Sequence, residues 1–236
     1  MILLNGRISK FESFGAVDGP GLRFIVFFQG CNLRCACCHN PETWDYEGGT
    51  EYSSEEVLKR VLKFKDYFGD SGGVTFSGGE PLVQARFLGE CANLCKENNI
   101  HTVLDTSGSI LSGDVRDALK YIDLVLLDIK MTTEKDYFKY TKGSLKQTLD
   151  FMDELEKMKK DVWIRQVIIP GINDNEANAK RLKEIAKKYK YIKKIEYLPF
   201  RKLCVSKYDE LGIDFKLINV PECDDETLKI LWKHLI

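Results

Sequence analysis

The apolar positions of this chain follow two alternating patterns, and the alternation predicts its elements. Residues 22–28, LRFIVFF, form a nearly unbroken β-branched and aromatic run, as expected of a strand buried on both faces. Residues 52–68 open with serines able to cap a helix, and Val57, Leu58, Val61 and Leu62 recur at helical spacing. The alternation then repeats. GVTFSGG (73–79), HTVLDTSG (101–108), DLVLLDIK (123–130), VWIRQVIIPG (162–171) and KIEYLPF (194–200) read as strands; 82–98, 114–122, 144–160 and 175–190 read as the intervening helices. An irregular stretch and a terminal helix over 225–236 complete the chain.

Six strand-then-helix units predict an α/β fold with a parallel sheet and crossover helices, in a single domain over 1–236. Six units fall short of a complete eight-stranded barrel, so a partial (β/α)6 barrel and a doubly wound sheet are the two candidates. In either, chemistry belongs at the carboxyl ends of the strands. Those ends carry Gln29-Gly30-Cys31, Ser77-Gly78-Gly79-Glu80, Asp105-Thr106-Ser107, Asp128-Ile129-Lys130, Pro170-Gly171 and Phe200-Arg201, a gathering of polar and glycine residues that predicts a shared pocket.

Composition narrows the function. The 236 residues hold 35 Lys+Arg against 36 Asp+Glu, a net charge of −1, which argues against a nucleic-acid partner. The lysine runs near 187–194 therefore read as solvated surface. No apolar run approaches the ~20 residues a membrane helix requires, and the amino-terminal MILLNGRISKFESFG lacks the pattern of a signal peptide. A cytoplasmic location without membrane attachment is expected, so the eight cysteines are not read as a disulfide framework.

Four of those cysteines crowd into residues 31–38. GCNLRCACCHNPETW gives Cys31-x3-Cys35-x2-Cys38, with Cys37 between the last two and His39 directly after. Soft thiolates suit an iron–sulfur cluster or zinc. Zinc would recruit His39 or Cys37 as a fourth ligand in a closed structural site. Three cysteines on a four-iron cluster instead leave one iron open to a small molecule. Cys91, Cys95, Cys204 and Cys223 read as buried or incidental thiols.

Cys31-x3-Cys35-x2-Cys38 resembles the cluster motif of the radical S-adenosylmethionine (SAM) superfamily, whose fold is a partial or full (β/α) barrel. The flanking VDGPGLRFIVFFQGC and HNPETWD resemble those of glycyl-radical-enzyme activases, and the match continues through SGGEP, HTVLDTSG, DLVLLDIK and VWIRQVIIPG to KIEYLPF. The resemblance implies a [4Fe-4S] cluster on Cys31, Cys35 and Cys38, with SAM chelating the open iron. Ser77, Gly78, Gly79 and Glu80 would bind the SAM amino group. Asp105 and Asp128, with the carbonyls of Thr106 and Leu126, would hold a monovalent cation, and Lys130 would pair with the SAM carboxylate. Arg165, within a buried strand, would reach the carboxylate of SAM or of a site residue. Cys37, His39, Ile129, Val167 and Arg201 complete the implied cofactor contacts, Cys37 replacing the family's bulky apolar residue and Arg201 its histidine. Asp18 and Arg23 are the implied substrate contacts.

The implied reaction abstracts a Cα hydrogen from a glycine of a partner glycyl-radical enzyme, of the pyruvate formate-lyase type, through a 5′-deoxyadenosyl radical. The electron would come from a flavodoxin- or ferredoxin-type donor, and the activase is expected as a monomer. An anaerobic ribonucleotide reductase activase, a small-molecule radical SAM enzyme and a non-enzymatic Cys-rich metal module are the rival readings.

Overall fold

The computed structural model describes residues 4–235. The first three residues of the amino-terminal segment and the last of the terminal helix, both read above, lie outside the described residues. Within that range the strands are β1 (Asn5–Gly15), β2 (Arg23–Phe28), β3 (Thr50–Ser53), β4 (Gly73–Gly78), β5 (His101–Thr106), β6 (Leu124–Asp128), β7 (Asp161–Ile168) and β8 (Ile192–Pro199). They form one sheet in the order β3-β1-β2-β4-β5-β6-β7-β8. From β2 onward every pairing is parallel and follows chain order. That order decides between the two architectures, because a doubly wound sheet reverses its strand order at a switch point and this sheet does not. The sheet stays open, with β3 and β8 at its edges.

The helices are α1 (Ser54–Leu62), α2 (Ala85–Glu97), α3 (Gly113–Leu119), α4 (Glu134–Thr141), α5 (Leu145–Lys157), α6 (Glu176–Ala186), α7 (Val205–Leu211) and α8 (Asp225–Leu235). Ser53 begins α1 with a reciprocal capping box to Glu56, as the serine pair predicts. Alternate strand residues face two cores, since successive side chains point to opposite faces. Leu104, Val125, Leu127 and Ile164 join the large core with the helices. Val103, Leu124 and Leu126, with Trp163 against them, form a small cluster of their own.

Four elements depart from the sequence reading. β1 was not predicted because only scattered positions along it are buried; it pairs antiparallel with β2 and β3 and covers what would be an open edge of the parallel strands. β3 is four residues long. α4 and α7 are short, and α7 lies in the stretch read as irregular. Among the described residues, no helix is long and apolar enough to cross a membrane.

Candidate active site

Strand register brings the charged residues together. Asp105 on β5 lies beside Leu126 on β6, and Asp128 on β6 beside Arg165 on β7. At the carboxyl ends of these strands is a cavity of about 320 Å³, lined by Asp105, Asp128, Lys130 and Arg165. The Arg165 guanidinium joins the two carboxylates: Nη2 donates to Asp105 at 2.5 Å and Nε to Asp128 at 3.4 Å. Lys130 donates to the other Asp128 oxygen at 2.9 Å, and Ser77 Oγ to the other Asp105 oxygen at 2.8 Å. Burial pushes the Asp128 carboxyl up, but Lys130 and Arg165 outweigh it and hold Asp128 below the usual carboxylate range. Burial likewise pulls Lys130 down, and Asp128 together with the nearby Cys35 outweighs it, so the ammonium stays charged.

The Ser77-Gly78-Gly79-Glu80 turn closes one wall. A Cβ on Gly78 would lie 2.3 Å from the backbone nitrogen of Phe28, and one on Gly79 would lie 2.2 Å from the Gly30 carbonyl oxygen. Only glycine lets the end of β4 press this closely on the start of the cysteine loop. Glu80, 1% exposed, turns inward. Its carboxylate accepts from Leu82 N–H, Thr106 Oγ1, Ser107 N–H and Ser107 Oγ, which fills its acceptor positions. Glu80 thus ties the β4 turn to the end of β5. Gly79→Ala is expected to displace Gly30 and Cys31 and to lower iron retention, measured as iron per chain after anaerobic reconstitution, with ~1–3 kcal/mol of stability lost to overpacking.

Cys31, Cys35, Cys37 and Cys38 line the same cavity, as do His39, Ser77, Gly78, Gly79, Glu80, Thr106 and Val167. Two helices that the sequence reading missed hold the cysteine loop. From α4, the Tyr140 and Thr141 carbonyls accept from Ala36 N–H (2.7 Å) and Arg34 N–H (2.8 Å). From α7, Tyr208 Oη donates to the Cys38 carbonyl at 3.1 Å, and Lys207 Nζ reaches the His39 carbonyl, Asn40 Oδ1 and Glu42. No motif marks Tyr140, Lys207 or Tyr208 in sequence, because their partners are backbone atoms brought close by the fold.

The donor set suits an iron–sulfur cluster: Cys31, Cys35 and Cys38 line one cavity, and their soft thiolates are the ligands such a cluster takes. Burial pushes the Cys31 thiol up to about 12 and holds the Cys35 thiol well above the usual thiol range, so a metal centre would have to displace protons on binding.

Three expected contacts lie elsewhere. Arg23 is fully buried: Nε donates to Thr75 Oγ1 at 3.0 Å, Nη1 to the Pro20 carbonyl, and Nη2 to the carbonyls of Val74 and His101. It faces no substrate. Instead it anchors the Asp18–Gly21 turn from beneath, since Thr75 Oγ1 in turn donates to the Asp18 carbonyl at 2.7 Å. Arg201 points its guanidinium at the Cys223 carbonyl and towards Glu222 and Asp225, away from the cavity, while its own carbonyl contacts His39 Nε2 at 2.9 Å. The Ile129 side chain is buried in the large core. Leu126, expected to act through its carbonyl, buries its side chain in the small cluster and pairs with Asp105 on β5. Asp18 does line the cavity, and burial together with the Asp105 charge raises its carboxyl to about 6.

Comparison with known proteins identifies the family and supports the fold. A family model described as the radical SAM superfamily matches residues 25–182. The chain is 46% identical over 234 residues to the pyruvate formate-lyase-activating enzyme of Clostridium pasteurianum, covering 99% of this chain and 98% of that one. It is 41% identical over 227 residues to the pyruvate formate-lyase 1-activating enzyme of Escherichia coli K12, covering 95% and 92% respectively. A crystal structure of a domain of pyruvate-formate lyase-activating enzyme from Bacteroides vulgatus matches with a TM-score of 0.58 at 22% identity, over 70% of this chain and 92% of that one, and supports the fold. At such identity over nearly its full length, the chain belongs to the radical SAM superfamily and, within it, to the family of pyruvate formate-lyase-activating enzymes.

Proposed function

We propose that this chain abstracts a Cα hydrogen from a glycine of a pyruvate formate-lyase-type partner, leaving a glycyl radical there. One observation carries the reading: three spaced thiols share a cavity with two carboxylates, an arginine and a lysine, on a chain that matches activating enzymes nearly end to end. Superfamily membership implies a [4Fe-4S] cluster and SAM. When bound, the pair supplies a one-electron reductive cleavage that generates a 5′-deoxyadenosyl radical, so no side-chain general base is required.

The remaining tasks fall to the chain. Cys31, Cys35 and Cys38 would hold the cluster as thiolates. Backbone carbonyls of Ser77, Gly78 and Gly79 would accept from the SAM amino group, while Lys130 and Arg165 would meet its carboxylate. Cys37, His39 and Val167 would border the rest of the cofactor. Asp105 and Asp128 are balanced by Arg165 and Lys130. A monovalent cation would sit on Asp105, Asp128 and the carbonyls of Thr106 and Leu126, beside the SAM carboxylate. The protein would act in the cytoplasm as a one-domain monomer, reduced by a flavodoxin- or ferredoxin-type donor. No observation favours the ribonucleotide reductase, small-molecule or non-enzymatic readings over this one.

The partner's glycine segment would approach Asp18, whose carboxylate can accept a backbone N–H. Because that carboxyl is raised to about 6, kcat/KM for the partner is expected to rise with pH through this value as Asp18 loses its proton. Asp18→Asn should remove that limb from the pH profile. The reading itself is tested by product analysis: reduced, reconstituted protein with SAM and partner should yield methionine and 5′-deoxyadenosine in step with glycyl radical. Bound zinc without sulfide would contradict it.

A further inference from the structure

The outer side of the cysteine loop lies against the carboxyl end of α4, where the residues on either side of Cys35 are hydrogen-bonded to the helix's last turn. That turn carries Lys139 and Lys142, both exposed, with Lys135 one turn back and exposed Arg34 on the loop itself. Among the described residues none of these four cations forms an ion pair. Lys139 Nζ sits 4.7 Å from the centre of the Tyr140 ring, and Lys142 Nζ 5.3 Å from that of Phe138, which is 62% exposed. The helix's own carboxylates are engaged at its other end, Asp136 by Thr133 Oγ1 and Glu134 by Lys146 N–H. Beneath this surface, Tyr140 also lines a small gap shared with Ala36, Cys37 and Lys130.

We infer that this face, Arg34 with the Lys135–Lys142 side of α4, is the docking surface for an acidic protein carrying a low-potential one-electron group, the donor that reduces the cluster. The inference rests on the activase reading, which requires such an electron. One electron leaves the donor's reduced group and enters the cluster, with no bond made or broken. Redox encounters are small and weak, and charge complementarity sets their rate more than buried area does. In a chain of net charge −1, steering of an acidic donor must come from a local patch, and the unpaired cations lie beside the loop that would hold the cluster.

The test uses the reconstituted holoprotein with reduced flavodoxin as the probe, cluster reduction being followed by visible absorbance. Lys139→Glu with Lys142→Glu is expected to slow reduction by flavodoxin about 10-fold or more at low ionic strength, with the gap closing as salt rises. Reduction by dithionite, and activation driven by dithionite, should remain at wild-type rates. Wild-type flavodoxin kinetics and salt dependence in the double variant would overturn the inference. So would an equal loss in Lys188→Glu with Lys190→Glu, which makes the same charge change beyond the end of α6. Absence of glycyl radical in the dithionite-reduced wild type would overturn the activase reading instead, while the reduction rates would still decide the docking surface.

Discussion

Cys31→Ser, Cys35→Ser and Cys38→Ser are each expected to abolish glycyl-radical formation and to deplete iron and sulfide in the purified protein, whereas Cys37→Ala and Cys204→Ala retain the cluster. The contrast follows from donor chemistry and placement. Iron–sulfur clusters demand soft thiolates, and a serine hydroxyl is a hard donor with a far higher pKa. Cys37 borders the cavity too, but the spacing leaves it outside the ligand trio. Cys204 is buried at the start of α7, in the core. Because burial holds the Cys31 and Cys35 thiols protonated, loading the cluster must release protons, and reconstitution should weaken as pH falls. Iron and sulfide assays across the five variants check this directly. A cluster retained in Cys35→Ser but lost in Cys37→Ala would reassign the ligands.

The second large effect is expected at Arg165. Arg165→Ala leaves Asp105 without its arginine and Asp128 with Lys130 alone, in a site where the arginine side chain is only 8% exposed. Removing one partner of a buried ion pair typically costs about 3–5 kcal/mol, because the remaining charge stays desolvated. Anaerobic urea unfolding should show a loss of that order, and SAM binding should weaken with it. The pH dependence has a definite sign. Asp128 is held below its unfolded value of 3.8, so its pairing contributes stability that is fully present above 3.8 and is lost as pH falls through the lower folded value. With Arg165 gone that depression shrinks, so the variant should lose less additional stability than the wild type in this acid range. Arg165→Lys, which keeps the charge but not the fork that spans both carboxylates, should fall between the two.

The parallel strands were legible in sequence because a strand buried on both faces must be apolar throughout, as 22–28 is. The partial barrel followed once strand order excluded a doubly wound sheet. Most of the cavity was legible too, since polar residues and glycines at strand ends have few other reasons to cluster. What escaped depends on contacts between distant segments. β1 carries only a scattered burial pattern, and its stability comes from hydrogen bonds to β2 and β3. α4 and α7 are too short for periodicity to stand out, yet their Tyr140 carbonyl and Tyr208 hydroxyl fix the cysteine loop. Arg23 was misjudged because its turn reads as a ligand approach, whereas the first residue of β2 points into the sheet and binds Thr75. Arg201 was placed on the cofactor by its position after β8, but Glu222, Cys223 and Asp225 draw its side chain away.

The most direct test of the central claim is an anaerobic electron paramagnetic resonance measurement on reduced, reconstituted protein mixed with SAM and pyruvate formate-lyase. The account predicts a stable glycyl doublet on the partner that requires SAM and an intact Cys31, Cys35 and Cys38. No doublet with pyruvate formate-lyase, despite a fully reduced cluster and bound SAM, would contradict it.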